Sequence, residues 1–161
     1  MFERKLTAGD ICSRIVSVAY PELSIEEAAR VMRDQQVGSL VIVEERGAAE
    51  RQVVGMLTDR DIVTSVVAAQ KNPQALRVAE VMTTAVVTAR ESDSVLELLA
   101  AMQRRGVRRI PVVGQGNQLV GVAAVDDVLA VIAEAMTALS AAVGAARRHE
   151  QTAPGTTLGR P

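Results

Sequence analysis

The chain has 161 residues, of which 48% are hydrophobic and 23% are charged, and its formal net charge is -1. Such a composition is typical of a globular protein, and a nearly neutral chain has no long-range field that would draw it to nucleic acid or to an anionic membrane. A single cysteine and a single histidine exclude both a disulfide within the chain and a Cys/His zinc site. Without an uninterrupted apolar run of about 18 residues or a signal-like N-terminus, the sequence predicts a cytoplasmic protein that does not span a membrane.

The side chains available for packing and binding are almost all aliphatic. Phe2 and Tyr20 are the only aromatic residues, so a bound base would lie against aliphatic side chains rather than in an aromatic stack. Cys12 is interpreted as a small buried hydrophobe rather than a nucleophile, because free cysteine is among the residue types most often buried.

The first half of the chain predicts the order strand, helix, strand, strand, helix. Ser24 and Glu27 have the spacing of a capping box, and the apolar residues that follow them recur with helical period. The predicted elements of this half are a strand within residues 10–18, a helix from Ser24 to about 35, strands 40–43 and 53–57, and a helix from Thr58 to Ala69.

The second half repeats this order. A shift of 70 residues, which becomes 66 after a shorter hairpin loop, relates the pairs Ser24 and Ser94, Glu27 and Glu97, Gly55 and Gly121, and Asp61 and Asp127. A repeat of about 60 residues is too small to bury its own sheet, so two must pack together, and a pseudo-twofold axis between them creates two equivalent clefts. Pro111 cannot donate to a strand ladder, so its strand is predicted to be an edge strand or to begin there.

The last helix is predicted to continue from Asp127 to about Arg148. Along it runs a seam with coiled-coil spacing that should meet another helix, formed by Val128, Ile132, Ala135, Leu139, Ala142 and Ala146. The predicted divisions of the chain are repeat 1 at 8–69, repeat 2 at 76–135, a C-terminal helix extension at 136–149 and a flexible tail at 150–161.

Three motifs and the repeat itself carry a resemblance to a known family. The motifs are Gly-Met-Leu-Thr-Asp-Arg-Asp-Ile at 55–62, Val-Met-Thr at 81–83 and Gly-Val-Arg-Arg-Ile-Pro-Val-Val at 106–113. Over about residues 8–135 the chain resembles a tandem pair of CBS domains, named after cystathionine beta-synthase. The resemblance implies an α/β (α+β) fold, in which two pseudo-twofold-related β-α-β-β-α repeats form one module with an extended C-terminal helix.

The resemblance also implies a function. Such pairs bind adenosine-containing ligands in their clefts and regulate an enzyme or channel, so we expect a regulatory module without catalytic residues, metal or required cofactor, similar to stand-alone bacterial members. The expected ligand is AMP, ADP or ATP, with S-adenosylmethionine or NAD(H) as alternatives. A homodimer forming a flat disc of four repeats, braced by the last helix, would signal to an unidentified protein partner in trans. A ligand-free structural dimerisation module and a nucleic-acid-binding CBS protein remain alternatives; neither nucleic acid nor membrane is an expected partner.

The main cleft is expected between the two repeats. By the resemblance, Asp61 would bind the ribose and Arg108 and Arg109 the phosphates; alternatively, Thr58 and Asp61 only cap a helix, and the arginines only complement a helix C-terminus. The aliphatic members would line the adenine slot or simply fill the core. The candidate residues are Met56, Thr58, Arg60, Asp61, Met82, Ala85, Val87, Val107, Arg108 and Arg109.

The second cleft departs from the family pattern. Ala124 stands where Thr58 stands in the first repeat, and Gly38 and Ser39 stand where the two arginines do. Loss of a hydroxyl and two cations predicts weak or absent phosphate binding there. The candidate residues of this cleft are Cys12, Ile15, Ser17, Val37, Gly38, Ser39, Val122 and Asp127.

Overall fold

The computed structural model describes residues 6–47 and 50–152 of the chain. The first half contains α1 (Ala8–Ile11), β1 (Val18–Ala19), α2 (Ile25–Gln35), β2 (Ser39–Glu45), β3 (Arg51–Thr58) and α3 (Asp59–Ile62), which continues as a π-helical turn, Val63–Val67. The second half contains a 3-10 turn (Val78–Glu80), β4 (Ala89–Arg90), α4 (Val95–Arg105), β5 (Arg109–Val113), β6 (Leu119–Ala124) and α5 (Val125–Thr152).

Each repeat forms a three-stranded sheet with the same topology. The order is β1-β2-β3 in the first repeat and β4-β5-β6 in the second, with the first pair parallel and the second antiparallel. The predicted β-α-β-β-α repeat is thus confirmed. The strand predicted within 10–18 is shorter than expected, because Thr7 and Asp10 cap a helical turn before it, with the Thr7 amide donating to Asp10 Oδ2 at 3.0 Å.

Pro111 lies in a central strand, which corrects the prediction of an edge strand. β5 lies between β4 and β6, but β4 pairs only with Val112 and Val113. In the first repeat the amide of Val41 donates to the carbonyl of Ser17 at 3.1 Å. Proline at the equivalent position has no N–H, so β4 stops short of it and no ladder bond is broken.

The segment that leads into each repeat packs on the other repeat. Ala8 is buried in the core of the second repeat, together with Leu98 and Ile110. Val78 is buried in the core of the first repeat, with Ile25. Two pairs of backbone hydrogen bonds of 2.8–3.0 Å fasten these exchanged segments to the sheet edges, between Ser13 and Val122 and between Thr83 and Met56.

α5 is the longest helix and leaves the body of the protein. Val128 is buried in the second core, whereas the large apolar residues from Ile132 onward are exposed. Its span Val125–His149 contains an 18-residue window with a mean hydropathy of 1.9 and, by length and composition only, could cross a membrane. Glu134 interrupts this window, so it is not an uninterrupted apolar run, and both the absence of a membrane span and the cytoplasmic location stay predictions. Of the predicted flexible tail, residues 150–152 end α5 and 153–161 lie outside the described residues.

Candidate functional site

The centre of the candidate site is the junction of β3 and α3. The Thr58 amide and hydroxyl both donate to Asp61 Oδ2, at 2.9 and 2.7 Å, and the Asp61 amide donates back to the Thr58 hydroxyl at 3.2 Å. Thr58 and Asp61 therefore form the helix cap that the sequence predicted. Within the described residues Asp61 Oδ1 accepts no hydrogen bond, so half of this partly exposed carboxylate stays open to a ligand.

The start of α3 is tied to the start of β2. The Asp59 amide donates to the Gly38 carbonyl at 3.0 Å. A Cβ on Gly38 would approach Asp59 Oδ2 to 3.1 Å, so glycine makes room for this carboxylate. The second repeat has the same connection, from the Val125 amide to the Arg108 carbonyl at 2.9 Å. The pseudo-twofold axis thus brings both helix starts to one region between the sheets.

Arg108 and Arg109 lie beyond the end of α4. That helix ends at Arg105 and is followed by the C-cap residue Gly106, which has a φ of 64°; Arg104 and Arg105 are the basic residues of its last turn. Arg108 and Arg109 follow this helix end, so the alternative that they only complement the helix C-terminus stays open beside the binding role.

Arg109 also links the two repeats directly. Its Nη1 donates to the hydroxyl of Ser39 at 3.2 Å, joining the first residues of β5 and β2 across the space between the repeats. Both side chains are solvent-accessible, so an anion of higher charge density than a hydroxyl could displace Ser39.

One cavity of about 660 Å³ brings most of the predicted main-cleft residues together. All of them except Met82 line it, and Met82 lies instead beside Gly55, where a Cβ would meet its Sδ at 2.5 Å. The lining residues are Gly38, Ser39, Met56, Thr58, Asp59, Arg60, Asp61, Thr83, Ala85, Val86, Val87, Gly106, Val107, Arg108, Arg109, Ala124, Val125 and Asp126.

Of the eight candidate residues of the second cleft, two line the main cavity and six do not. Gly38 and Ser39 line the main cavity, and Asp127 caps α5 by accepting from the Ala124 amide at 2.7 Å. Ile15 is 95% exposed. Cys12 is partly buried beside Gly121, where an added Cβ would lie 2.7 Å from the Cys12 Sγ. Burial raises the pKa of the Cys12 thiol. Val122 pairs with the exchanged segment, while Ser17 and Val37 stay outside the cavity lining.

Sequence reasoning missed the second helix start as part of the main cavity. Ala124, Val125 and Asp126 line it together with the first helix start. The 66-residue shift relates them to Thr58, Asp59 and Arg60, but the resemblance places each helix start in a separate cleft. The pseudo-symmetry of the two repeats could have predicted that these three residues lie near the first helix start.

The cavity offers three kinds of contact. Three arginines and three aspartates line it, so it can donate to phosphate oxygens and accept from hydroxyl groups. Its remaining wall is aliphatic. The carbonyl of Val87 accepts no hydrogen bond within the described residues, because Pro111 cannot supply the one that Val41 supplies to Ser17. In the same part of the chain no cluster of three or more His, Cys, Asp or Glu could hold a metal ion.

Comparison with known proteins gives consistent similarities. The family model of the CBS domain matches residues 8–68 and 78–134. The CBS domain-containing protein YhcV of Bacillus subtilis is 35% identical over 118 residues, covering 73% of this chain and 79% of that protein. An uncharacterized protein of Methanopyrus kandleri is 33% identical over 128 residues, covering 80% of this chain and 63% of that protein.

A solved structure with bound ligands is also similar. It is the CBS domain pair of protein MJ0100 in complex with 5'-methylthioadenosine and S-adenosyl-L-methionine, with 27% sequence identity and a TM-score of 0.69. The similarity covers 81% of this chain and 98% of that one.

Proposed function

Because this chain belongs to the CBS domain family, we propose that it is a regulatory module whose main cleft binds an adenosine-containing ligand, with AMP, ADP or ATP expected. The observation that carries the proposal is the cavity that joins the capped start of α3 to the arginines at the start of β5. It combines carboxylate acceptors, guanidinium donors and an aliphatic wall in a space of about 660 Å³, a size within the range of small-molecule sites.

The ribose would bind at Asp61. Since Oδ2 is held by Thr58, only Oδ1 is available to accept from ribose hydroxyls while the cap stays intact. The Thr58 hydroxyl already donates to Asp61, so it can still accept from a ribose hydroxyl but can donate to a phosphate only if the cap opens. Asp61 therefore has a structural role and a binding role at the same time.

The phosphates would bind at Arg108 and Arg109. A planar guanidinium matches the geometry of phosphate oxygens, and a hydrogen bond between oppositely charged groups is stronger than the one that Arg109 makes with the neutral Ser39 hydroxyl. A phosphate is thus expected to replace Ser39 as the partner of Arg109.

The adenine would lie against Ala85, Val87 and Val107. These side chains line the cavity, and the unoccupied Val87 carbonyl is suited to accept from an exocyclic amino group. A phosphate-free adenosine ligand such as S-adenosylmethionine, which a similar CBS pair binds, is the alternative ligand and would leave the arginines unused.

Ligand binding would change the relative position of the repeats. Asp61 belongs to the first repeat and Arg109 to the second, so a ligand that contacts both makes new connections across the module. Binding energy that differs between two arrangements shifts the population toward one of them. A homodimer would pass this change to an unidentified protein partner, without a catalytic step or a required cofactor.

A ligand-free structural role is the second candidate. It is favoured by the cap itself, because Thr58 and Asp61 satisfy each other without a ligand. The module would then only hold two chains together.

Thermal denaturation distinguishes these two roles. The full chain is heated with AMP, ADP, ATP, S-adenosylmethionine or NADH, each at millimolar concentration. A ligand at 100 times its Kd stabilises the folded protein by about 2.7 kcal/mol. A rise in Tm with at least one ligand, absent in Asp61→Ala, supports the sensor role; no shift with any of the five overturns it.

A further inference from the structure

α5 carries an exposed apolar face beyond the body of the protein. Its large apolar residues past Val128 are 45–66% exposed, apart from the partly buried Val131. Helices of this kind gain most of their stability from packing an apolar face. We therefore expect this exposed apolar face to pack against another apolar surface.

The exposed residues form a regular seam. We define the α5 seam as the residues that alternate three and four positions apart, the spacing of a coiled coil. The seam predicted from the sequence has the same spacing but begins at Val128, which is buried in the second core; the exposed seam begins one residue later. The α5 seam consists of Leu129, Ile132, Met136, Leu139, Val143 and Ala146.

We propose that the α5 seam pairs with the same seam of a second copy of this chain, with the two helices antiparallel. Antiparallel pairing about the midpoint between Thr137 and Ala138 brings every seam residue opposite another one. The resulting layers are Leu129 with Ala146, Ile132 with Val143, and Met136 with Leu139, each formed twice. No seam residue is left without a partner.

Charge selects the antiparallel orientation. The N-terminal end of α5 carries Asp126 and the adjacent Asp127, and its C-terminal end carries Arg147 and Arg148. In the antiparallel pair Asp126 of one copy flanks the seam beside Arg147 of the other, so opposite charges meet at both ends. A parallel pair would instead gather the basic ends of both helices at one place.

The residues beside the seam favour a second helix over lipid. The positions that flank it in its middle are small, namely Ala133, Ala135, Ser140 and Ala142, and small flanking residues let two helices approach closely. The opposite face contains Glu134 and Thr137 and no large apolar residue between them and Gly144. A helix within lipid is apolar on all sides, whereas Glu134 places a charged residue on the face opposite the seam.

The pairing predicts an elongated dimer. The bodies of the two copies would lie at opposite ends of the paired helices, rather than side by side in the flat disc that the family resemblance implies. This arrangement does not depend on the proposed ligand, so its test and the ligand test fail independently.

Disulfide crosslinking tests the orientation. In a Cys12→Ala background of the full chain, Leu129→Cys and Ala146→Cys are made separately, one with a longer affinity tag, and oxidised alone and as a mixture. Antiparallel pairing gives a crosslinked dimer only in the mixture, because two copies of position 129 are about 26 Å apart along the helix. Self-crosslinking of either variant alone would show parallel pairing and overturn the proposal.

Sedimentation equilibrium tests the seam itself. Met136→Glu/Leu139→Glu should convert the dimer to a monomer, whereas the matched control Thr137→Glu/Ala141→Glu, on the opposite face, should remain dimeric; circular dichroism checks folding in both. A wild-type chain that is monomeric at 100 µM overturns the proposal. So does a monomer that floats with phosphatidylcholine/phosphatidylglycerol vesicles, which would assign the apolar face to lipid.

Discussion

A single oxygen of Asp61, Oδ2, accepts both the amide and the hydroxyl of Thr58, at 2.9 and 2.7 Å. Among the residues that the structure describes, its pseudo-symmetric counterpart, Asp127, accepts from the Ala124 amide alone, at 2.7 Å. Both aspartates thus cap a helix. Of these two aspartates, Asp61 lines the cavity and Asp127 does not. Variants at the two positions therefore distinguish an effect on stability from an effect on ligand binding.

Asp61→Ala and Asp127→Ala should destabilise the protein to a similar extent and differ in binding. Each removes a cap, at a cost of about 0.5–2 kcal/mol. Calorimetry with the adenine nucleotide that binds best should show a large drop in affinity for Asp61→Ala and a small one for Asp127→Ala. Asp61→Asn, which can keep the cap, should retain stability but not affinity. Equal drops in affinity at 61 and 127 would contradict the assignment of the site.

Arg108→Ala and Arg109→Ala should weaken the binding of ligands that carry phosphate, because each variant removes a guanidinium donor from the cavity. A charge-assisted hydrogen bond contributes about 1.5–3 kcal/mol, so each variant should raise the Kd for ATP by about tenfold or more. Adenosine, which has no phosphate, should bind the variants and the wild type alike. Arg104→Ala, in the last turn of α4, is the control. An equal weakening for adenosine and ATP would place the arginines away from the phosphates.

Gly121→Ala should destabilise the protein more than Gly55→Ala. A Cβ at 121 would meet the backbone carbonyl of Ser13 at 2.6 Å, so the exchanged segment must move. At 55 the closest atom is Sδ of Met82, the mobile end of a side chain. Crowding of this kind costs about 1–3 kcal/mol. Urea denaturation should place Gly114→Ala, with its nearest atom at 3.5 Å, close to wild type; a reversed order would argue against the segment exchange.

Glu27 should make stability depend on pH at the acid side. The amide and hydroxyl of Ser24 donate to Glu27 Oε2 and hold the pKa of its carboxyl below the ordinary value of 4.5. Ionised Glu27 therefore favours the folded state above that pH, and this contribution is lost as the pH falls through the lowered pKa. Melting curves between pH 7 and pH 3 should decline less steeply in Glu27→Gln, and the exposed control Glu44→Gln should follow the wild type.

The repeat architecture was predictable because the residues that specify it are close together in the sequence. Ser24 with Glu27 and Ser94 with Glu97 form the predicted capping boxes. Each box fixes where a helix begins, and the 70-residue shift between them reveals the second repeat. Capping depends on residues three positions apart, so a sequence shows it directly.

The positions of the exchanged segments could not be predicted in this way. Ala8 is buried among residues that lie between Ala89 and Val128 in the sequence, and no local pattern encodes such a contact. The packing of Met82 beside Gly55, rather than in the cavity lining, is another contact that no local pattern encodes. On α5 the many alanines allow two seams with the same spacing, and only the burial of Val128 shows which one is exposed.

The exchanged segments make the two repeats one folding unit. Ala8 completes the core of the second repeat and Val78 completes the core of the first. A protein cut between residues 69 and 75 would therefore yield two fragments that remain associated, as in fragment complementation, and neither would fold alone. Deleting Ala8–Ile11 would likewise open the core of the second repeat, so the first helical turn of the chain stabilises the half of the protein that is farthest from it in sequence.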